Sequence, residues 1–282
     1  METSSSTNRI LPVTSIRSGS GKEVDPEVYC YAVQVVNAFM IGNPAISNDW
    51  VLVDAGTPGS GEKILQAAEE RFGPDHRLQA IVLTHGHFDH IGGIAEILDR
   101  FPVLVYAHPA EFPYLTGKEN YPDPDVTVEG GMVAKLSKLF PIEAIDISEH
   151  LKELPADHSV PPMPGWRWIH TPGHTPGHVS LFREQGRFLL AGDAFITVKQ
   201  DSLYKVLMQK KEVHGPPVYL TTDWRAAWES VVKLADLEPN AAATGHGKPM
   251  HGAELAKGLV ELADHFPARA VPEHGKFVDS TD

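Results

Sequence analysis

The chain has 282 residues, enough for one large domain or two modest ones, and its hydrophobic (42%) and charged (22%) fractions are those of a globular protein able to bury a core. Its formal net charge of −13 is spread along the sequence, which repels phosphate backbones and anionic surfaces and argues against nucleic acid or membrane as a partner. Cys30 is the only cysteine, so no intramolecular disulfide forms, and no apolar run approaches the roughly 18 residues of a bilayer span; a cytoplasmic location is the expectation.

Residues 1–24 read as a disordered or extended start, polar and serine-rich without a secretory pattern, and 25–282 as a single domain. Residues 29–41, rich in β-branched and aromatic side chains, predict a pair of strands. Trp50–Val53 predicts a short strand ended by Asp54-Ala55-Gly56. A helix follows over Glu62–Phe72, with Ile64, Leu65, Ala68 and Phe72 on one face and Gly73-Pro74 as its stop. Leu78–Leu83 reads as a buried strand running directly into Thr84-His-Gly-His-Phe-Asp-His90. Ile91–Phe101 has the spacing of a helix and Val103–Ala107 that of a strand.

A similar order returns later. Arg187–Ala191 is a strand ended by Gly192-Asp193, Asp223–Leu237 a helix with Asp223 as its N-cap, Ala241–Thr244 a strand ended by Gly245-His246-Gly247, and Ala253–Phe266 a helix. In both halves an aspartate loop precedes a helix and a histidine loop ends the next strand, which we read as a weak internal duplication. Strands alternating with helices imply an α/β layer architecture; two such halves packed sheet to sheet leave helices on both outer faces. Two stretches break the rhythm, near 108–165 and 195–222, and are expected to shape a substrate pocket.

Where the 15 histidines cluster matters more than their number. His85, His87, Asp89 and His90 are too closely spaced for one helix face, whereas a loop leaving a strand end can turn all of them inward. Three imidazoles and a carboxylate there, with further donors downstream, exceed the needs of one metal ion and suggest two. His170, His174 and His178 fall within a Gly- and Pro-rich turn, and Asp193 and His246 each end an apolar strand.

His-x-His-x-Asp-His, then Thr-Pro-Gly-His, Gly-Asp and Gly-His, in this order from about residue 30 to 266, resemble the motif series of the metallo-β-lactamase superfamily, and Val51-Leu-Val-Asp-Ala-Gly56 resembles its first motif. The resemblance implies a four-layer αββα sandwich. It also implies His85, His87 and His174 as ligands of one metal, Asp89, His90 and His246 as ligands of a second, and Asp193 as a bridge. Asp54 would support the ligand loops, with His170 and His178 flanking the ligand turn. The cofactor implied is a pair of divalent ions, zinc first, with manganese and iron also accommodated. The implied chemistry is hydrolysis by a metal-bridging hydroxide, with Asp89 taking the proton.

Within the superfamily, flavodiiron proteins carry Glu where this chain has His87, and the β-lactamases with a cysteine ligand are excluded by the distance of Cys30 from every motif. Acyl-homoserine lactonases carry a tyrosine three residues past the bridging aspartate, where this chain has Ile196. Ester, thioester or lactone hydrolysis is the leading expectation. Phosphodiester or β-lactam hydrolysis, and iron-dependent oxidation of the persulfide dioxygenase kind, are the alternatives. Phe195, Lys199 and Tyr204 are candidate pocket residues. The expected partner is a small molecule, and the oligomeric state is left open, a homodimer included.

Overall fold

The computed structural model describes residues 18–128, 142, 144–198 and 212–278. Seven strands form one sheet in chain order: β1 (Ser20–Asp25), β2 (Val28–Val33), β3 (Val36–Ile41), β4 (Asp49–Val53), β5 (Arg77–Val82), β6 (Leu104–Ala107) and β7 (Leu151–Glu153). The first four are antiparallel hairpin neighbours, and β4 to β7 run parallel. Parallel pairing requires a crossover. Helix α1 (Gly61–Phe72) supplies it between β4 and β5, and two helical pieces, α2 (Phe88–Ile91) and α3 (Ile94–Arg100), lie between β5 and β6.

A second sheet has the order β12-β11-β10-β9-β8, from β8 (Trp166–His170), β9 (Val179–Arg183), β10 (Phe188–Leu190), β11 (Ala241–Ala243) and β12 (Met250–His251). Its parallel pair is β10–β11, bridged by α5 (Trp224–Ala235), with α6 (Gly252–Asp264) and α7 (Phe266–Ala270) following β12; a short α4 (Phe112–Leu115) lies after β6. The duplicated unit is thus a parallel strand pair with a helical crossover, β4–α1–β5 in one sheet and β10–α5–β11 in the other.

Side-chain alternation sorts the strands into layers. On β3 and β4, Phe39, Ile41, Val51 and Val53 face the second sheet and meet Trp168, Leu181, Phe188 and Leu190. Met40, Trp50 and Leu52 face the other way, onto Ile64 and Phe72 of α1 and Ile97 of α3. On the far side, Phe182 and Leu189 pack against Val231 and Leu234 of α5 and Leu255, Leu259 and Leu262 of α6. The result is a four-layer αββα sandwich. Because both faces of each central strand are covered, those strands read as continuous apolar runs.

Several elements differ from the sequence reading. β1 takes in residues assigned to the extended start. The helix expected over Ile91–Phe101 is broken at Gly92-Gly93, where the Gly93 N–H donates to the Ala55 carbonyl and the Gly92 N–H to Gly56, so the backbone is spent on the aspartate loop rather than on continuing the helix. β7 lies inside the stretch read as an insertion, and β8 and β9 were not anticipated. No helix among the described residues is long and apolar enough to cross a membrane.

The core beneath α1 contains one imidazole. The Trp50 indole N–H donates to Nδ1 of His76 at 3.0 Å, and burial, opposed by Glu69 and helped by Arg100, holds the His76 pKa below its ordinary 6.5. Folding therefore favours neutral His76, a stabilisation present above that value and lost as pH falls below it. Chemical denaturation of wild type and His76→Gln is expected to show a stability gap at about pH 7 that narrows by about pH 5. A gap independent of pH contradicts the assignment.

Candidate metal centre

All the candidate ligands leave strand ends at one edge of the sandwich. β5 ends at Val82; beyond it, His85-Gly86-His87 forms a loop and the single turn of α2 carries Asp89 and His90. This local structure differs in detail from a loop bearing all four: two ligands come from the loop and two from the helical turn. The Ala55 N–H donates to the His90 carbonyl at 2.6 Å and fixes that turn against the β4 loop. His174 comes from the turn between β8 and β9, Asp193 from the loop after β10, and His246 from the loop after β11.

Three groups of donor atoms lie within 4.8 Å of one another: His85, His87 and His174; Asp89, His90 and His246; and His85, His90 and Asp193. Asp193 Oδ2 is 3.5 Å from His174 Nε2, 3.5 Å from His90 Nε2 and 3.2 Å from His246 Nε2, so one carboxylate oxygen reaches ligand nitrogens of the first two groups. Asp89 Oδ2 is 3.4 Å from His246 Nε2. All seven residues are buried.

Hydrogen bonds behind the imidazoles select their tautomers. His90 Nδ1–H donates to Asp54 Oδ2 at 2.8 Å, and His246 Nδ1–H donates to the Val35 carbonyl at 2.9 Å. The Thr84 hydroxyl donates to Asp54 Oδ2 and accepts from His85 Nδ1–H; the Thr221 hydroxyl donates to the Pro217 carbonyl and accepts from His174 Nδ1–H. Each of these four rings therefore turns an Nε2 lone pair towards the centre. His87 is the exception: its Nδ1 lies 3.0 Å from His174 Nε2, two ring nitrogens aimed at one point. His85 Nε2, His90 Nε2 and Asp193 Oδ1 are buried without a hydrogen bond. Buried acceptors left open at a shared centre, with imidazole and carboxylate donors in two sets, fit a pair of divalent cations.

The electrostatics divide the ligands in the same way. Burial, reinforced by neighbouring imidazoles, holds His85 and His174 well below their ordinary range and His87 at about 3, so these three are neutral lone-pair donors at pH 7. Burial also lowers His90, but Asp193, Asp54 and Asp89 outweigh it and hold the ring well above its usual value; His246 is raised in the same sense, chiefly by Asp193 against burial. Asp193 is held well below the usual carboxylate range by His246 and His90 despite its burial, while burial lifts Asp89 against those same rings.

Asp54 occupies the position expected of a supporting carboxylate. Its backbone sits at φ 59°, a left-handed conformation that Asp tolerates better than most residues, and its Oδ1 accepts the Thr84 N–H at 2.8 Å. It thereby holds both His90 and the residue before His85. Gly245 must lack a side chain: a Cβ there would lie 2.1 Å from Asp193 Oδ1.

Of the supporting residues, the sequence reading placed His170 and His178 beside the ligand turn and missed Asn37, Thr84 and Thr221. Asn37 of β3 donates through Nδ2 to the carbonyls of Thr244 and Gly247, tying the His246 loop to the other sheet. His178 accepts the Asp193 N–H at Nε2 (2.8 Å), and its pKa, lowered by burial to about 3, keeps that acceptor free. His170 bonds the Pro176 carbonyl. Thr84 stands beside His85, and Thr221 is 47 residues from His174; neither carries a pattern of its own. Phe195, expected at a pocket wall, is instead fully buried, in the core cluster beneath α5 and α6 that also contains Trp224 and Phe266. Lys199 and Tyr204 lie outside the described residues.

Comparison with known proteins agrees with this geometry. A family model described as the metallo-beta-lactamase superfamily matches residues 31–246. The probable metallo-hydrolase YflN of Bacillus subtilis is 53% identical over 256 residues, 91% of this chain and 97% of its own. The hydroxyacylglutathione hydrolase of Photorhabdus laumondii is 29% identical over 56% of this chain and 52% of its own. Among solved structures, the BLEG-1 B3 metallo-beta-lactamase superposes with a TM-score of 0.55 at 25% identity, covering 82% of this chain and 93% of that one.

Removal of the carboxylate behind His90 tests the support network. Asp54→Ala is expected to weaken metal binding by about 10- to 100-fold in chelator competition while circular dichroism shows an intact fold. Unchanged affinity contradicts the role given to Asp54.

Proposed function

The chain belongs to the metallo-beta-lactamase superfamily, and from that premise we propose that this metallo-hydrolase cleaves an ester, thioester or lactone bond of a small molecule at a dinuclear centre, zinc being the cation its donors suit first. The observation that carries the reading is the reach of Asp193 Oδ2 to ligand nitrogens of both three-residue groups. The hydroxyacylglutathione hydrolase relatives support a thioester among the acyl substrates.

Two divalent cations, when held by these residues, would supply a water of lowered pKa and Lewis-acid polarisation of the acyl oxygen. The protein's own part is orientation and proton handling. His85, His87 and His174, neutral and buried, offer lone pairs without first losing a proton at pH 7. Asp89, a buried carboxylate beside His246 Nε2, is the group placed to orient the attacking water and take its proton. Asp54 keeps His90 facing inward throughout, through the bond to Nδ1. Cys30 lies in the layer between the sheets, away from these residues, so it is no nucleophile for this site.

A hydrolysis panel of thioester, ester, lactone, phosphodiester and β-lactam substrates, each with a chelator control, tests the reading. Turnover of an acyl substrate, abolished by chelation, is the expected result; oxygen consumption by iron-loaded protein without any hydrolysis contradicts it. Asp89→Asn is expected to lower kcat by about 100-fold or more. Near-normal turnover of that variant with full metal occupancy removes Asp89 from its role.

A further inference from the structure

Glu111 belongs to no motif and carries no ligand atom, yet it lies between the two loops that build the three-imidazole group. It ends a 3-10 turn, Pro109–Glu111, that follows β6 and is capped by His108, whose Nδ1 accepts the Ala110 N–H. Its side chain is 1% exposed. Oε2 accepts the N–H of Gly86 at 2.9 Å and the hydroxyl of Tyr121; Oε1 accepts the Thr175 hydroxyl at 2.8 Å and the Gly177 N–H at 2.7 Å. One oxygen therefore holds the residue between His85 and His87, and the other holds the residue that follows His174.

We propose that Glu111 is a positioning residue that clamps the His85–His87 loop to the His174 turn, and so sets the cation affinity of the His85, His87 and His174 group rather than that of Asp89, His90 and His246. The inference rests on the dinuclear reading given above.

Three features carry it. All four partners donate, and two of them, the backbone N–H groups of Gly86 and Gly177, can do nothing else, so each oxygen of the side chain is held as an acceptor for one loop. The approach is close enough to demand glycine, since a Cβ on Gly177 would lie 2.7 Å from Glu111 Cγ. Tyr121, one of the four donors, lays its ring 4.5 Å from that of His87 and is itself stacked on Tyr114, so the clamp also fixes the one imidazole that presents Nδ1. The rings of the second group are held elsewhere, His90 by Asp54 and His246 by the Val35 carbonyl, and neither hydrogen bond involves Glu111.

Replacement by the isosteric amide is therefore not silent. In Glu111→Gln one end of the side chain becomes an NH2 group facing a backbone N–H, of Gly86 or of Gly177, that cannot reverse its polarity. One loop is released from the other without a change of volume.

The test loads the full chain with cadmium and follows the two sites by cadmium NMR during chelator competition. Two bound ions and two resonances are expected for the wild type. In Glu111→Gln the three-imidazole site is expected to empty first, its affinity lowered by about 10- to 100-fold, with the carboxylate-containing site within about threefold of wild type. Thr175→Val removes a single donor and keeps the clamp falsifiable where the Gln variant does not fold; it is expected to show the same order with a smaller shift. Equal weakening of both sites, or no weakening of either, overturns the proposal. A wild type that holds fewer than two ions counts instead against the dinuclear reading, which separates the two failures.

Discussion

Five imidazoles and two carboxylates do not gather in a protein interior unless something compensates them, because each buried polar atom without a partner carries a desolvation cost. Here the open atoms, His85 Nε2, His90 Nε2 and Asp193 Oδ1, belong to residues whose donor atoms lie within 4.8 Å of one another. The rest of the structure can be understood as what it takes to hold those lone pairs still. The two sheets present their strand ends at a common edge, so ligands more than 150 residues apart in sequence, such as His85 and His246, reach one centre. Asn37 then ties the sheets together there, from β3 to the carbonyls on either side of Gly245-His246.

Behind the donors stands a set of fixed partners, and its asymmetry gives the site a direction. The partner of His90 is the carboxyl group of Asp54; the partners of His85 and His174 are hydroxyls, and that of His246 is a carbonyl. The group nearest the carboxylates thus contains His90 and His246, whose pKa values Asp193 raises against burial, whereas burial lowers those of His85 and His174. The acyl hydrolysis proposed above draws on both groups: imidazole donors to hold the cations, and a carboxylate, Asp89, to accept a proton.

Much of this was legible in the sequence because metal ligands are few residue types in short spacings. The run from His85 to His90, the turn around His174, Asp193 and His246 all announce themselves at strand ends, and the alternating strands and helices imply the layers. The supports were not legible. Glu111, Asn37 and Thr221 act through hydrogen bonds to residues far away in the chain, and nothing local distinguishes them from other buried or surface polar residues. Phe195 misled for a related reason: its neighbour Asp193 faces the centre, but a loop after a strand does not keep strict alternation, and the ring went to the core. β8 and β9 were overlooked because prolines and aromatics on either side suggested an irregular insertion, whereas Trp166, Trp168, Val179 and Leu181 are the inner face of a sheet.

Anomalous diffraction from crystals of the zinc-loaded protein addresses the central claim directly. Two peaks about 3.5–4 Å apart are predicted, one among His85, His87 and His174 and the other among Asp89, His90 and His246, with Asp193 between them. A single peak at full occupancy, or metal bound away from these residues, contradicts the account.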